Sequence, residues 1–227
     1  KFLLFIILFI VLYTLTTNAQ TYIQCTNITA TLIECTNTTL TGNVINATTQ
    51  SVWIHDATIT ATSGALFKIN TTGFINMSNV TITSSGSAGS DGTFGGCPDG
   101  NDGTNGGDAQ FQLSSGSWIN IFGVTITNLG GNGGVGGGQA DPCSALGCTG
   151  GAGGNGGSSL TILNATDFLN ITSSTLQLNG GSGGNGVACS GTGPDLRCGG
   201  SGGVSGNTNL TIYANYISDL NLLNEFF

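Results

Sequence analysis

Positive charge is almost missing from this chain. Lys and Arg total three in 227 residues (Lys1, Lys68 and Arg197), against 11 Asp and Glu, for a formal net charge of −8. A surface so poor in cations has no electrostatic footprint for nucleic acid and little attraction for anionic lipid. Histidine occurs once, at position 55. There is no zinc-ligand spacing, nucleophile elbow or phosphate loop, and no helix follows the glycine runs to seat a phosphate. Helical periodicity of useful length is also missing beyond residue 19. The regular signal that is left is alternation with period two, which reads as β-strand.

Glycine fills 40 positions, while charged residues make up only 6% of the chain. Thr, Ser and Asn occupy the polar places, so solubility must come from neutral groups or from something attached to them. Lys1, an apolar run from Phe2 to Leu15 and a small residue at Ala19 read as a secretory signal peptide, 1–19, cleaved after Ala19. The run is short for a membrane span, which needs about 20 apolar residues. The expectation is a secreted protein, extracellular or at the cell surface, with no membrane segment after cleavage. Asn-X-Ser/Thr occurs at Asn27, Asn37, Asn46, Asn70, Asn76, Asn79, Asn164, Asn170 and Asn209. Each is a candidate for N-glycosylation where it is exposed, although a chain rich in Asn and Thr also makes such triplets by chance.

One stretch is written three times: Phe74-Ile75-Asn76-Met77, Trp118-Ile119-Asn120-Ile121 and Phe168-Leu169-Asn170-Ile171. Val52-Trp53-Ile54-His55 is an earlier relative. Each copy is broken by a small polar residue or two (Asp56, Ser78-Asn79, Gly123, Ser173-Ser174) and then resumes as a second short strand. A further strand precedes each later copy: Leu66–Ile69, Phe111–Leu113, Leu160–Leu163 and, last, Leu210–Tyr213. Residues 20–49 hold a smaller echo, Cys25-Thr26-Asn27 and Cys35-Thr36-Asn37, and read as a β capping region. Residues 50–227 read as the repeats.

Three short strands per turn of about 22 residues, with a small polar corner, are the marks of a stacked solenoid. Over residues 50–223 this pattern resembles the pectin-lyase-like family of right-handed parallel β-helices. The resemblance is one of strand pattern and includes no enzyme motif. It implies an all-β solenoid whose equivalent strands pair in parallel from coil to coil, with right-handed crossovers. Phe74, Trp118 and Phe168 should then stack, and Asn76, Asn120 and Asn170 should form an amide ladder. An inward-facing ladder would deny glycans to Asn76 and Asn170.

Glycine-rich inserts follow the repeats at about 86–107, 130–157 and 180–206. Ordering such segments costs about 1–2 kcal/mol per residue in backbone entropy. Their Gly-Gly-X triplets, however, suit left-handed extended helices packed side by side, where only glycine fits. The two readings, packed lattice and mobile loop, both stand. Secretion favours disulfides among the seven cysteines, Cys25, Cys35, Cys97, Cys143, Cys148, Cys189 and Cys198. Cys25–Cys35 is one natural pair. Cys143–Cys148 with Cys189–Cys198, or a bridge between inserts such as Cys97–Cys143, are alternatives that sequence does not decide.

Asp91, Asp99, Asp102 and Asp108 cluster with Asn101 and Asn105 in the first insert. Oxygen ligands on glycine-permitted turns suit Ca²⁺. The spacing matches neither an EF-hand nor a Gly-Gly-X-Gly-X-Asp repeat, so the reading taken is solvated turn carboxylates, with no cofactor and no metal. Polysaccharide lyases and hydrolases of the resembling family imply a carboxylate cluster and, for lyases, a Lys or Arg base. Here Asp56, Asp167 and Asp219 lie far apart in sequence, with Lys68 and Arg197 as the only cations past Lys1. His55 beside Asp56 reads as a turn pair. The expected function is therefore non-enzymatic: a structural repeat glycoprotein of a cell coat, filament or matrix, associating with copies of itself. The alternatives are an adhesin that binds glycans and, further off, a polysaccharide lyase or hydrolase. Regular Thr spacing and a flat glycine face leave ice as a third class of ligand.

Overall fold

The structure, a computed structural model, describes residues 25, 27–36, 39–41, 44–47, 50–61, 66–93, 100–137, 150–187 and 200–224. The expected signal peptide lies outside them. The described residues contain fourteen strands and no helix. In chain order these are β1 (Asn27–Ile28), β2 (Leu32–Thr36), β3 (Thr39–Thr41), β4 (Val44–Ala47), β5 (Ser51–Thr60), β6 (Leu66–Thr71) and β7 (Ile75–Ser85). They continue as β8 (Ala109–Ser115), β9 (Ile119–Phe122), β10 (Thr125–Leu129), β11 (Ser159–Ala165), β12 (Phe168–Asn179), β13 (Thr208–Tyr213) and β14 (Tyr216–Asn224).

The chain passes back and forth between two sheets. The five-stranded sheet runs β13-β11-β8-β6-β4; the nine-stranded sheet runs β1-β2-β5-β7-β10-β12-β14, with β3 on β5 and β9 between β7 and β12. Among the described strands, β1 against β2 is the one antiparallel pair. The other pairings are parallel, so each pass lays its residues on the equivalent residues of the pass before. Val52, Ile75, Ile119 and Leu169 form one such row, fully buried. Phe67 and Phe111 are register partners on the five-stranded sheet, with stacked rings 5.1 Å apart inside the core. Each buried Ile, Leu or Phe side chain contributes about 1.5–3 kcal/mol relative to exposure.

The small polar breaks of the repeat are corners. Asp56, Asn79, Gly123 and Ser173 have φ of 52°, 52°, 61° and 50°. Asp, Asn and Gly enter this left-handed region readily, while Ser173 does so at a cost of about 1–2 kcal/mol. One such residue changes the phase of the alternation. Ile54 and Ala57 both face the core although they are three apart, and so do Met77 and Val80, Ile121 and Val124, and Ile171 and Ser174. The corner lets both halves of a bent strand keep their inward set.

The glycine inserts form a lattice rather than loose loops, as far as they are described. Backbone N–H groups at every third residue donate to the next pass: Gly86 to Leu129 O, Gly89 to Asn132 O and Gly92 to Val135 O, at 2.8, 2.7 and 2.7 Å. The returning legs do the same, from Gly103 to Ala152 O and Gly106 to Asn155 O, both 2.8 Å. Three residues per turn is the repeat of a polyproline II helix. Outgoing and returning legs are joined in turn, in a zigzag from Gly107 to Ser87 O, Gly131 to Gly107 O, Gly157 to Gly131 O, Gly181 to Gly157 O and Gly206 to Gly181 O. A Cβ on Gly131 would meet Ser87 O at 1.9 Å, and one on Gly154 would meet Thr104 O at 2.0 Å. Glycine is required there by the approach of one backbone to another.

Candidate functional surfaces

The outward side of the bent strands carries side-chain ladders. Phe74 and Trp118 stack at 4.4 Å, and Trp118 and Phe168 at 5.7 Å, with rings within 8° of parallel. The stack lies at the surface, with Phe168 36% exposed. Asn120 donates from Nδ2 to Asn76 Oδ1 at 2.8 Å, and Asn170 from Nδ2 to Asn120 Oδ1 at 2.7 Å. This ladder points away from the core and is half-buried. The Asn170 nitrogen that would carry a glycan is thus a donor within the ladder.

Other Asn-X-Ser/Thr sites are differently placed. Asn46, Asn70 and Asn164 fall in one row of the five-stranded sheet, linked through Ser114. Asn209 pairs with Leu160, two rows away on the same outward face. Asn46, Asn164 and Asn209 are exposed. Asn79 sits at a corner and donates from Nδ2 to Asp56 Oδ1 at 3.2 Å. Asn27 lies on β1, and Asn37 lies outside the described residues. Cys25 and Cys35 are joined as a disulfide, with the Cys35 side chain wholly buried. Cys97, Cys143, Cys148, Cys189 and Cys198 lie outside the described residues.

The carboxylates weighed for calcium have another role. In the glycine lattice the third residue of each triplet points outward, and its own N–H has no backbone partner. At six of these positions the side chain one pass earlier supplies one. Asp91 Oδ1 accepts from Val135 N–H at 2.9 Å, Asp102 Oδ1 from Ala152 N–H at 2.7 Å and Asp108 Oδ1 from Ser158 N–H at 2.7 Å. Asn105, Asn132 and Asn155 serve Asn155, Ser182 and Val204 in the same way. These Asp and Asn residues cap backbone donors, and sequence reading gave no signal of it. Asp99 lies outside the described residues, and no group of three or more metal-ligating side chains occurs among those described. At the base of the second insert, Asn128 is fully buried and donates from Nδ2 to Ser159 Oγ, Leu160 O and Thr161 Oγ1 at 3.0–3.1 Å. It ties the end of β10 to the start of β11.

His55 is more than half of a turn pair. Its Nε2 lies 3.0 Å from Glu34 Oε1 and its Nδ1 3.1 Å from Asp56 Oδ2. Thr36 Oγ1 is 3.2 Å from Nδ1, and the Trp53 ring lies 4.6 Å away. Hydrogen bonds to Glu34 first, then to Asp56, raise the imidazole pKa. Those from His55 and Asn79 lower that of Asp56. Glu34 belongs to β2, one pass before His55, so the cluster fastens neighbouring passes. Asp167 is held elsewhere, accepting from Ser117 Oγ at 3.0 Å, and Lys68 stands on the five-stranded sheet.

No family model, no curated protein and no solved structure matches this chain. The reading of its function therefore rests on the surfaces just described.

Proposed function

We propose that this chain is a secreted, non-enzymatic structural glycoprotein, built as a right-handed parallel β-helix of the pectin-lyase-like type. It stacks with further copies of itself in a cell coat, surface filament or extracellular matrix. The observation that carries the reading is where the polar groups go. The Asn76–Asn120–Asn170 ladder, the Asp and Asn caps of the glycine lattice and the Glu34–His55–Asp56 cluster each join one pass to the next. Polar chemistry that an enzyme would keep free is spent here on stiffness along the stacking direction. Right-handed crossovers follow from the strong chirality of parallel strand connections. The Cys25–Cys35 disulfide accords with an oxidising compartment, and the exposed Asn-X-Ser/Thr sites Asn46, Asn164 and Asn209 on the five-stranded sheet support a glycan shell on that face.

Self-association is supported by sheet edges, since among the described residues β4 and β13 each pair on one side only. At one end, β1 crosses β2 antiparallel beside the disulfide. At the other, β13 and β14 pair on one side only among the described residues, Leu210, Ile212 and Ala214 are partly buried, and Tyr213, Tyr216 and Ile217 are exposed. A sheet edge with apolar neighbours favours the addition of another strand layer, which this proposal assigns to a second copy of the chain. Electron microscopy of the purified native protein tests this. Filaments with an axial repeat set by the stacked passes are the expected outcome. A monomer that binds a glycan array would replace the structural reading with an adhesin, and cleavage of pectin, alginate or another polyuronate would replace it with an enzyme.

A further inference from the structure

Past the left-handed corner, the outward positions of the nine-stranded sheet are threonine on pass after pass. Thr58, Thr81, Thr125 and Thr175 are register partners in one row. Two residues further on, Thr60, Thr83 and Thr127 form a second row that ends at Gln177. No register shift interrupts either row. All seven threonines are exposed or half-exposed, and none of their hydroxyls is hydrogen-bonded to another described residue. This sets them apart from the asparagine ladder on the other side of the corner, whose amides satisfy one another. It also sets them apart from the glycine lattice, whose outward Asp and Asn oxygens are taken by backbone N–H groups. Neither threonine row contains a charge.

Threonine is stiff at χ1, so a backbone in register holds hydroxyl and methyl groups in register as well. The rows repeat at about 4.7–4.9 Å from strand to strand and about 6.6 Å along the strand. Rows of short side chains on a strand face differ from a pocket, which binds a soluble ligand by enclosing most of it. Its contacts are weak singly and act together only against a partner with matching periodicity. In ice, hydrogen bonds of about 2.75 Å at the tetrahedral angle place second-neighbour oxygens about 4.5 Å apart and repeat the stacked layers at about 7.3 Å. The first spacing lies within several per cent of the strand spacing, and the second is about a tenth longer than the step between rows.

We propose that the two threonine rows are an ice-binding surface, whose ligand is a face of crystalline water. The hydroxyls take the places of lattice waters, and the methyl groups gain by release of their own hydration. The face carries no charge that would hold a competing hydration shell.

The test is the purified full chain in freezing-point osmometry and in an ice-recrystallisation assay. Thermal hysteresis and arrested crystal growth are expected. Thr81→Lys and Thr125→Lys should reduce both to buffer level while circular dichroism stays unchanged. Gln110→Lys, an exposed position on the five-stranded sheet, should leave both intact. If the Lys variants fail to fold, Thr81→Tyr and Thr125→Tyr, which suit a strand, carry the same expectation. The proposal is overturned if the unmodified chain leaves ice growth unchanged, if the substituted rows keep their activity, or if Gln110→Lys loses as much. Adsorption to microcrystalline cellulose without any effect on ice would assign the face to that solid instead and overturn it equally.

Discussion

The bent strands and the glycine lattice solve one problem, stacking one pass of chain on the next, with opposite materials. In the strands, inward side chains meet like side chains: Ile75 on Ile119, Met77 on Ile121, Ile82 on Ile126. Stability there comes from apolar surface removed from water. In the lattice almost no side chain lies between the legs, and the approach is so close that a Cβ has nowhere to go. Stability there comes from backbone hydrogen bonds at every third residue, offset by the large entropy that glycine loses on ordering. The strand region should therefore tolerate exchange among apolar residues of similar size, and the lattice should tolerate almost nothing but glycine at the contact positions.

The largest effect that separates the two is expected from Ile121→Ala. It should cost about 2–5 kcal/mol in the core and lower the thermal midpoint of the whole chain, because both sheets share that core. A midpoint unchanged within error would mean that the strands do not hold the molecule together. Asn128→Ala strips one donor from three buried acceptors and should cost about 1–3 kcal/mol. Amide hydrogen exchange should accelerate on both sides of the second insert, and unaltered protection there would remove Asn128 as the staple between the regions. Gly131→Ala should cost about 1–3 kcal/mol through overpacking, confined to the lattice. Exchange should rise at Gly86, Gly107 and Gly157 while the strands keep their protection. Global unfolding from this one methyl group would erase the distinction.

Two smaller effects sharpen the picture at the edges. The pKa of His55 is raised in the folded chain. Its contribution to stability is complete below the unfolded value near 6.5 and is lost as pH rises through the folded value. Asp56, with a lowered pKa, contributes above its unfolded value and loses that contribution as pH falls through the folded one. The N-terminal passes should be firmest between these limits, and in His55→Gln the loss of their exchange protection, relative to the intrinsic exchange rate, as pH rises through the folded His55 value should disappear. The smallest change concerns glycans. Peptide mapping of protein from a glycosylating host should find sugar on Asn46, Asn164 and Asn209 and bare amide at Asn170. An occupied Asn170 would mean that its rung of the ladder is open.

Much of the strand region was legible because its rules act within one strand. Alternation marked the inward residues, and Asp56, Asn79, Gly123 and Ser173 marked the corners since few residues enter the left-handed region. The aromatic stack and the amide ladder followed once equivalent positions were aligned. Like residues repeat at like places, and register did the rest. The outward direction of the ladder was not legible, because the corner changes the phase on which such an inference depends. Glu34 was missed as a partner of His55 for a related reason. It comes from the less regular passes before residue 50, where no repeat fixes which residue lies over which. In the inserts, the composition announced glycine packing but not the capping by Asp91, Asp102 and Asp108. The donors they satisfy exist only once the neighbouring leg is in place. A cluster of carboxylates therefore read as solvated turn groups, with calcium as the alternative, when three of them complement amides.

The left-handed corners also bear on how such a chain can change over generations. Each corner is one residue long, and that residue sets which side chains of the following half-strand face inward. Inserting one residue after Ser173 would turn Leu176 and Leu178 outward and bring Thr175 and Gln177 into the core, without altering any other residue. Gaining one codon there is thus far more disruptive than replacing the amino acid, whereas losing Ser173 keeps the inward set and removes only the bend. Whole passes, by contrast, begin and end on the same register and can be duplicated or dropped together with their glycine inserts. Descendants of this chain should differ in the number of passes long before they differ in the length of a single one.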